Sequence, residues 1–163
     1  MPVLFTPRGS LTQSHAIERY VGRLTGLYPE DIWEAAKCDE VVDMAEDLNK
    51  RISMCLHKVP EFKAHSRSAL ATEYGPFWLG KMEQMLSSSP GPFFLGDTLT
   101  MADLVVSTRV EYLHLGILDD VPATIVDAFP ALVAHYTKVF AVPEIAAFRA
   151  KNVHAVPLAD AQL

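Results

Sequence analysis

Three groups of residues in this 163-residue chain have the types and spacing to do chemistry. The first is Gln13-Ser14, inside the stretch LTQSHAIERYVGRLTGLY from Leu11 to Tyr28. Ser14 has the side chain of an N-cap, since its hydroxyl can accept a bond from a free helical N–H. Glu18 lies in the first turn, where a negative charge suits the helix dipole. Ile17, Tyr20, Val21, Leu24 and Leu27 then follow helical spacing. A strand that runs into a helix with free first amides is a ready anion site. Gln13-Ser14 is thus a candidate for holding a small carboxylate, and the same residues also describe an ordinary capped helix.

The second group is a row of acids. Asp39, Asp43 and Asp47 recur every four residues, with Glu40 and Glu46 beside them. Like charges at this spacing cost roughly 0.2–0.5 kcal/mol per pair on a helix. The row is either a solvated face or a surface awaiting a cation. Asp47 and Arg51 are four apart, as are Glu46 and Lys50, so both are expected to pair along the helix. No histidine or further carboxylate stands at ligand spacing beside the row, so no metal site is expected. The third group is Thr100 and Asp103, a capping box with Asp in place of Glu. The helix behind it, about Met101 to Leu115, is apolar on most faces and is expected to be the buried central post of a helical fold.

These groups need elements to position them. Residues 1–12 read as a hairpin, with Pro2 to Phe5 apolar, Thr6-Pro7-Arg8-Gly9 as the turn and Ser10 to Thr12 returning. Its first strand leaves an apolar edge open, which invites a strand from another chain at Pro2–Phe5. A long helix is expected over about Asp31 to Lys58, closed by Pro60, with Cys38, Val41, Ala45, Leu48, Ile52, Cys55 and Val59 as its core stripe. The next helix, about Glu61 to Ser88, should kink at Gly75-Pro76. Pro130 and Pro143 each sit in the first turn of a further helix, about 130–141 and 143–151. Residues 152–163 read as coil.

Bulk properties narrow the setting. Half of the residues are hydrophobic and the net charge is −6. That balance argues against a nucleic-acid partner and against an anionic membrane surface. No apolar run is long enough to cross a bilayer, and the start MPVLFTPRGS has too short an apolar stretch for a signal peptide. On one continuous helix, Cys38 and Cys55 would lie about 25 Å apart, too far to bridge. A reducing, cytoplasmic setting is therefore expected. The six histidines (15, 57, 65, 114, 135 and 154) show no metal-ligand spacing.

Four segments, in order, resemble the cytosolic glutathione transferases, especially the tyrosine-type alpha, pi and sigma classes. They are MPVLF with LTQSHAIERYVGRLTGLYP, then DIWEAAKCDEVVDMAEDL, then FFLGDTLTMADL, then DAFPALVAHYTKVFAVPEIAAF. The resemblance implies a mainly α protein. Residues 1–28 would be the remnant β-hairpin and helix of a thioredoxin-like, glutathione-binding domain, and residues 29–163 the all-helical C-terminal domain. It implies that Gln13 and Ser14 hold the γ-glutamyl carboxylate of glutathione. Pro2 matches the cis-proline of the thioredoxin-like half, and Met1 before it would offer backbone bonds to the cysteinyl part. Asp47 matches the acid that reaches across a dimer to the γ-glutamyl amino group. Ser53 and His57 align with the electrophile pocket, and Thr100 and Asp103 with the family's capping box. Glutathione is the implied co-substrate, no metal is implied, and a homodimer or larger assembly is the implied partner state. None of the five tyrosines (20, 28, 74, 112 and 136) matches the catalytic tyrosine, whose segment is absent from this chain. No catalytic residue is therefore expected here, and the chain alone is expected to be inactive as a conjugating enzyme. The alternative is a non-catalytic, transferase-like structural or assembly subunit.

Overall fold

A computed structural model describes residues 2–152. Met1 and the tail predicted as coil beyond Asn152 lie outside the described residues. The hairpin forms as predicted. Strands β1 (Val3–Thr6) and β2 (Gly9–Thr12) pair antiparallel, with Val3 opposite Thr12 and Thr6 opposite Gly9. Thr6 closes the turn by donating its hydroxyl to the Gly9 carbonyl at 2.9 Å. Among the described residues β1 pairs only with β2, and Phe5 is 81% exposed.

Helix α1 (Ser14–Thr25) follows at once and ends in a left-handed Gly26. The amide of Leu27 bonds to the Gly22 carbonyl at 2.8 Å, and the Leu27 carbonyl accepts the Met101 amide at 2.8 Å. Gly22 is buried because a Cβ there would meet Met101 Sδ and Tyr28 Cβ at 3.2 Å. The C-terminal end of α1 is therefore fastened to the start of the helix that begins at Met101.

Helix α2 (Ile32–Met54) is capped by Asp31, whose carboxylate accepts from the amides of Trp33 and Glu34 at 2.9 and 3.0 Å. The predicted stripe from Cys38 to Cys55 is buried. The predicted end at Lys58 is corrected: α2 stops four residues earlier. Pro60 does not close this helix but opens the next, and the residue before a proline is pushed out of the α region. Val59 accordingly is extended and 48% exposed, outside the core where the stripe had placed it. Arg67 seals the helix end, donating from Nε to the Cys55 carbonyl at 3.2 Å.

The kink predicted at Gly75-Pro76 takes a specific form. Helix α3 (Pro60–Ala69) runs into one π-helical turn (Leu70–Tyr74) and then α4 (Gly75–Ser87). Proline has no N–H and its ring crowds the carbonyl four residues back. Widening the turn relieves both, and the Gly75 amide bonds to the Leu70 carbonyl five residues back. Only glycine fits at this point, because a Cβ would stand 2.4 Å from that oxygen.

Helix α5 (Met101–His114) is the central post, touching α1, α2, α6 and a short 3-10 turn (Ala123–Val126). Helices α6 (Pro130–Phe140) and α7 (Pro143–Lys151) both start on proline, as predicted. Glu83 of α4 caps α6, accepting from the amides of Ala131 and Leu132 at 2.9 and 2.8 Å. Arg149 ties α7 to Glu111 of α5 and lies over the Phe140 ring. Leu48, Leu79, Met82, Val106, Val110, Leu132 and Val139 fill the core between them.

Candidate functional site

The hairpin delivers the chain to α1 through Gln13, whose backbone sits at φ 73°, ψ 122°. A side chain other than glycine rarely adopts a positive φ, and it costs on the order of 1–3 kcal/mol to hold it there. The Gln13 carbonyl accepts the first intrahelical bond, from the Ile17 amide at 3.0 Å. The amides of Ser14, His15 and Ala16 precede that bond and belong to the open end of the helix. Ser14 was expected to be the N-cap. The cap is instead Gln13, without a side-chain bond, and Ser14 is the first helical residue, its side chain exposed. The Ser14 hydroxyl and the strained Gln13 thus both stand at an uncovered helix N-terminus.

The acid row lies alongside on α2, and α1 supplies its basic partners. Arg19 Nε donates to Asp39 Oδ1 at 2.7 Å, and its Nη2 reaches Asp43 Oδ1 at 3.3 Å. The hydrogen bond that Arg19 donates to Asp39, reinforced by the charges of Asp39 and Asp43, pushes the guanidinium above its ordinary value. His15 Nδ1 stands 3.3 Å from Asp43 Oδ1, and its Nε2 lies 3.5 Å from Glu46 Oε2. Neither same-helix pair expected for the row forms. Lys50 bonds to Asp47 at 3.1 Å instead of Glu46, Asn49 bonds to Glu46, and Arg51 lies over the Tyr74 ring. Three residues of spacing brings Lys50 onto Asp47, while Arg51 is drawn away by an aromatic face.

The row therefore has two sides. Asp39, Asp43 and Glu46 turn toward α1, and Asp47 remains on the exposed side. The basic residues facing the row, His15 and Arg19, were not singled out from the sequence. Their signal was present: a basic pair four apart on α1 matches Asp39 and Asp43 four apart on α2.

The remaining candidates are dispersed. Pro2 stands exposed ahead of β1. Ser53 and His57 are exposed at the end of α2 and the turn beyond it, and His57 packs with its ring tilted against Phe62 at 4.6 Å between ring centroids. A small cleft nearby is lined by other residues, among them Arg51, Met54, His65, Leu70 and Tyr74. Thr100 and Asp103 close a buried capping box: the carboxylate takes the Thr100 amide at 2.8 Å and its hydroxyl at 2.9 Å. Asp103 also accepts from the Phe94 amide and lies 2.9 Å from His135 Nε2. Both cysteines are free and buried, and burial pushes each thiol above its ordinary value. Among the described residues no cluster of His, Cys, Asp or Glu is placed to hold a metal. None of their helices is long and apolar enough to cross a membrane.

The helical part matches a family model described as "Glutathione S-transferase, C-terminal domain" over residues 46–152. The chain belongs to the glutathione S-transferase family. It is 31% identical over 149 residues to a probable glutathione S-transferase 6 of Caenorhabditis elegans, covering 89% of this chain and 70% of that one. It is 36% identical over 145 residues to glutathione S-transferase P of Homo sapiens, covering 86% and 64%. The chain thus spans roughly two thirds of the length of such relatives. Among solved structures, a prostaglandin synthase D of Nilaparvata lugens superposes with a TM-score of 0.82 at 26% identity, covering 96% of this chain and 75% of that one. A Pi-class glutathione S-transferase of Onchocerca volvulus shares the fold, with a TM-score of 0.81 at 22% identity and coverage of 96% and 73%. The family match lies on the helical residues and does not reach Gln13 or Ser14.

Proposed function

We propose that the open end of α1 holds the γ-glutamyl carboxylate of glutathione. Gln13, the Ser14 hydroxyl and the first amides of α1 are the donors. The observation that carries this reading is the backbone of Gln13. A strained residue other than glycine, set where a hairpin meets an uncapped helix, is maintained against its cost by a role other than helix formation. A helix N-terminus is favourable for a carboxylate through both its free N–H groups and its dipole. Membership of the glutathione S-transferase family supplies the chemical identity of that carboxylate.

In this reading residues 1–28 form the glutathione-facing part and residues 29–163 the helical domain of a cytoplasmic protein. Asp47, on the exposed side of the row, faces the γ-glutamyl amine held by a second subunit of a dimer. Pro2 and Met1 flank the cysteinyl part, and Ser53 and His57 border the space for the electrophile. Conjugation needs the thiolate of glutathione, stabilised by a positioned donor. Each tyrosine among the described residues stands elsewhere. Tyr28 lies under Arg23, Tyr74 under Arg51, Tyr112 is half-buried near Cys55, and Tyr136 bonds to His114. Tyr20 follows Ser14 by six residues, about 9 Å along the axis. The chain on its own therefore binds glutathione without conjugating it.

Titration calorimetry of the full chain with glutathione tests this. Measurable binding that Ser14→Ala weakens by about tenfold is the expected result. No binding by the unaltered chain, or binding indifferent to Ser14, overturns it. Turnover of a standard aryl halide electrophile by the chain alone overturns the second part.

A further inference from the structure

His15 occupies the second position of α1, directly behind Gln13 and Ser14, and only 19% of its side chain is exposed. Both of its ring nitrogens face oxygens that can only accept. Nδ1 is 3.3 Å from Asp43 Oδ1, and Nε2 is 3.5 Å from Glu46 Oε2 and 4.0 Å from Glu18 Oε2. A neutral imidazole carries one N–H and would turn its lone pair toward a carboxylate at the other nitrogen, whereas the imidazolium can donate from both. Glu18 adds a second observation, because its Oε2 is buried and has no hydrogen-bond partner. His15 Nε2 stands 4.0 Å from that oxygen.

The groups around the ring come from two elements. Glu18 and Arg19 belong to α1, and Asp43 and Glu46 belong to α2. His15 shares Asp43 with Arg19 and Glu46 with Asn49. A cation at a helix N-terminus opposes the dipole. Three carboxylate oxygens stand within 4.0 Å of the ring instead.

We propose that His15 is a positioning residue that, when protonated, clasps the first turn of α1 to Asp43 and Glu46 of α2 and so fixes the amides that face a bound carboxylate. The ligand half of this proposal rests on reading Gln13-Ser14 as the carboxylate site, and the clasp itself does not. Occupancy of that site then rises as the solution is acidified through the imidazole range. Loss of the proton releases the turn and exposes Glu18 and Glu46 to mutual repulsion near an incoming anion.

The test uses the full chain at about pH 5.5 and about pH 7.5, either side of the ordinary imidazole range. Between those values no group of glutathione titrates. Calorimetry with glutathione should show binding roughly fivefold tighter at the lower pH, the scale of a modest coupling between sites. His15→Gln should bind weakly at both, and His15→Arg, a permanent cation, tightly at both. The double variant Asp43→Asn with Glu46→Gln should lose the slope as well. A slope that survives in His15→Gln, or a His15→Arg that behaves like His15→Gln, overturns the proposal. In parallel, amide hydrogen exchange of Ser14 to Arg19 should show protection falling between the two pH values, and His15→Gln should abolish that step. If glutathione fails to bind at either pH, the carboxylate reading falls, and the exchange experiment still decides the clasp. A pH step present only with His15 supports it, and equal protection in both proteins overturns it.

Discussion

Two helices of this molecule begin in opposite ways. At α5 the first turn is closed. Asp103 is fully buried, and its two oxygens take the Thr100 amide and hydroxyl, the Phe94 amide and His135. At α1 the first turn is open. Its cap residue makes no side-chain bond and holds a positive φ, and the serine that could have capped it points to solvent. Both ends carry the same backbone requirement, four amides without intrahelical partners. The protein answers it internally in one case and leaves it unanswered in the other. A satisfied terminus fixes the fold, whereas an unsatisfied one retains free energy that a ligand can collect.

The largest effect should come from breaking the closed end. Asp103→Ala leaves the amides of Thr100 and Phe94 and the imidazole of His135 without their buried partner. Stability should fall by about 3–5 kcal/mol in denaturant titration, with glutathione affinity lost only through unfolding. Ser14→Ala should do the reverse: affinity falls about tenfold, while stability stays within roughly 0.5 kcal/mol of the unaltered chain. A stability loss at Ser14 comparable to that at Asp103 would erase the contrast between the two ends. Gln13→Gly should sharpen it further. Glycine accepts φ 73° without strain, so stability should rise by about 1 kcal/mol in the same titration while the carboxamide donor and affinity are lost.

The smallest effect is a pH dependence at the closed end. Cys38 is buried beside Thr100 and Ala102, and burial holds its thiol above the ordinary value of 9.0. The folded state therefore keeps this proton where the unfolded chain gives it up. Its contribution is complete below pH 9.0 and is lost as pH rises from there through the folded value. Stability followed by chemical denaturation should decline above that pH, and Cys38→Val should flatten the decline.

Local signals in the sequence carried much of this architecture, because their causes are local. Pro130 and Pro143 open helices, and Thr100 with Asp103 closes a box three residues wide. The buried stripe from Cys38 to Cys55 follows from spacing alone. What stayed hidden depends on residues far apart in the chain. Nothing near Asp103 announces His135, thirty-two residues on, and nothing near Pro130 announces Glu83 as its cap. The early end of α2 is decided by a proline six residues past it and by Arg67 reaching back to Cys55. At the site, the residue types at Gln13 and Ser14 suggested an anion, but glutamine has no intrinsic preference for positive φ, so the strain was invisible. The acid row was legible as a row, and its division between Arg19, His15 and open solvent required the crossing of two helices.

The fastening of α1 to α5 has a mechanical consequence. The notch at Gly22, the bond from Leu27 to Gly22 and the bond from Met101 to Leu27 clamp one end of α1 against the first residue of the buried post. Arg19 and His15 prop the beam along one side, and its free tip carries Gln13. In such a cantilever the tip cannot translate on its own. A load on the tip is carried to the joint at Met101 as well as to the props on α2, so the stiffness of the open end is shared between the two.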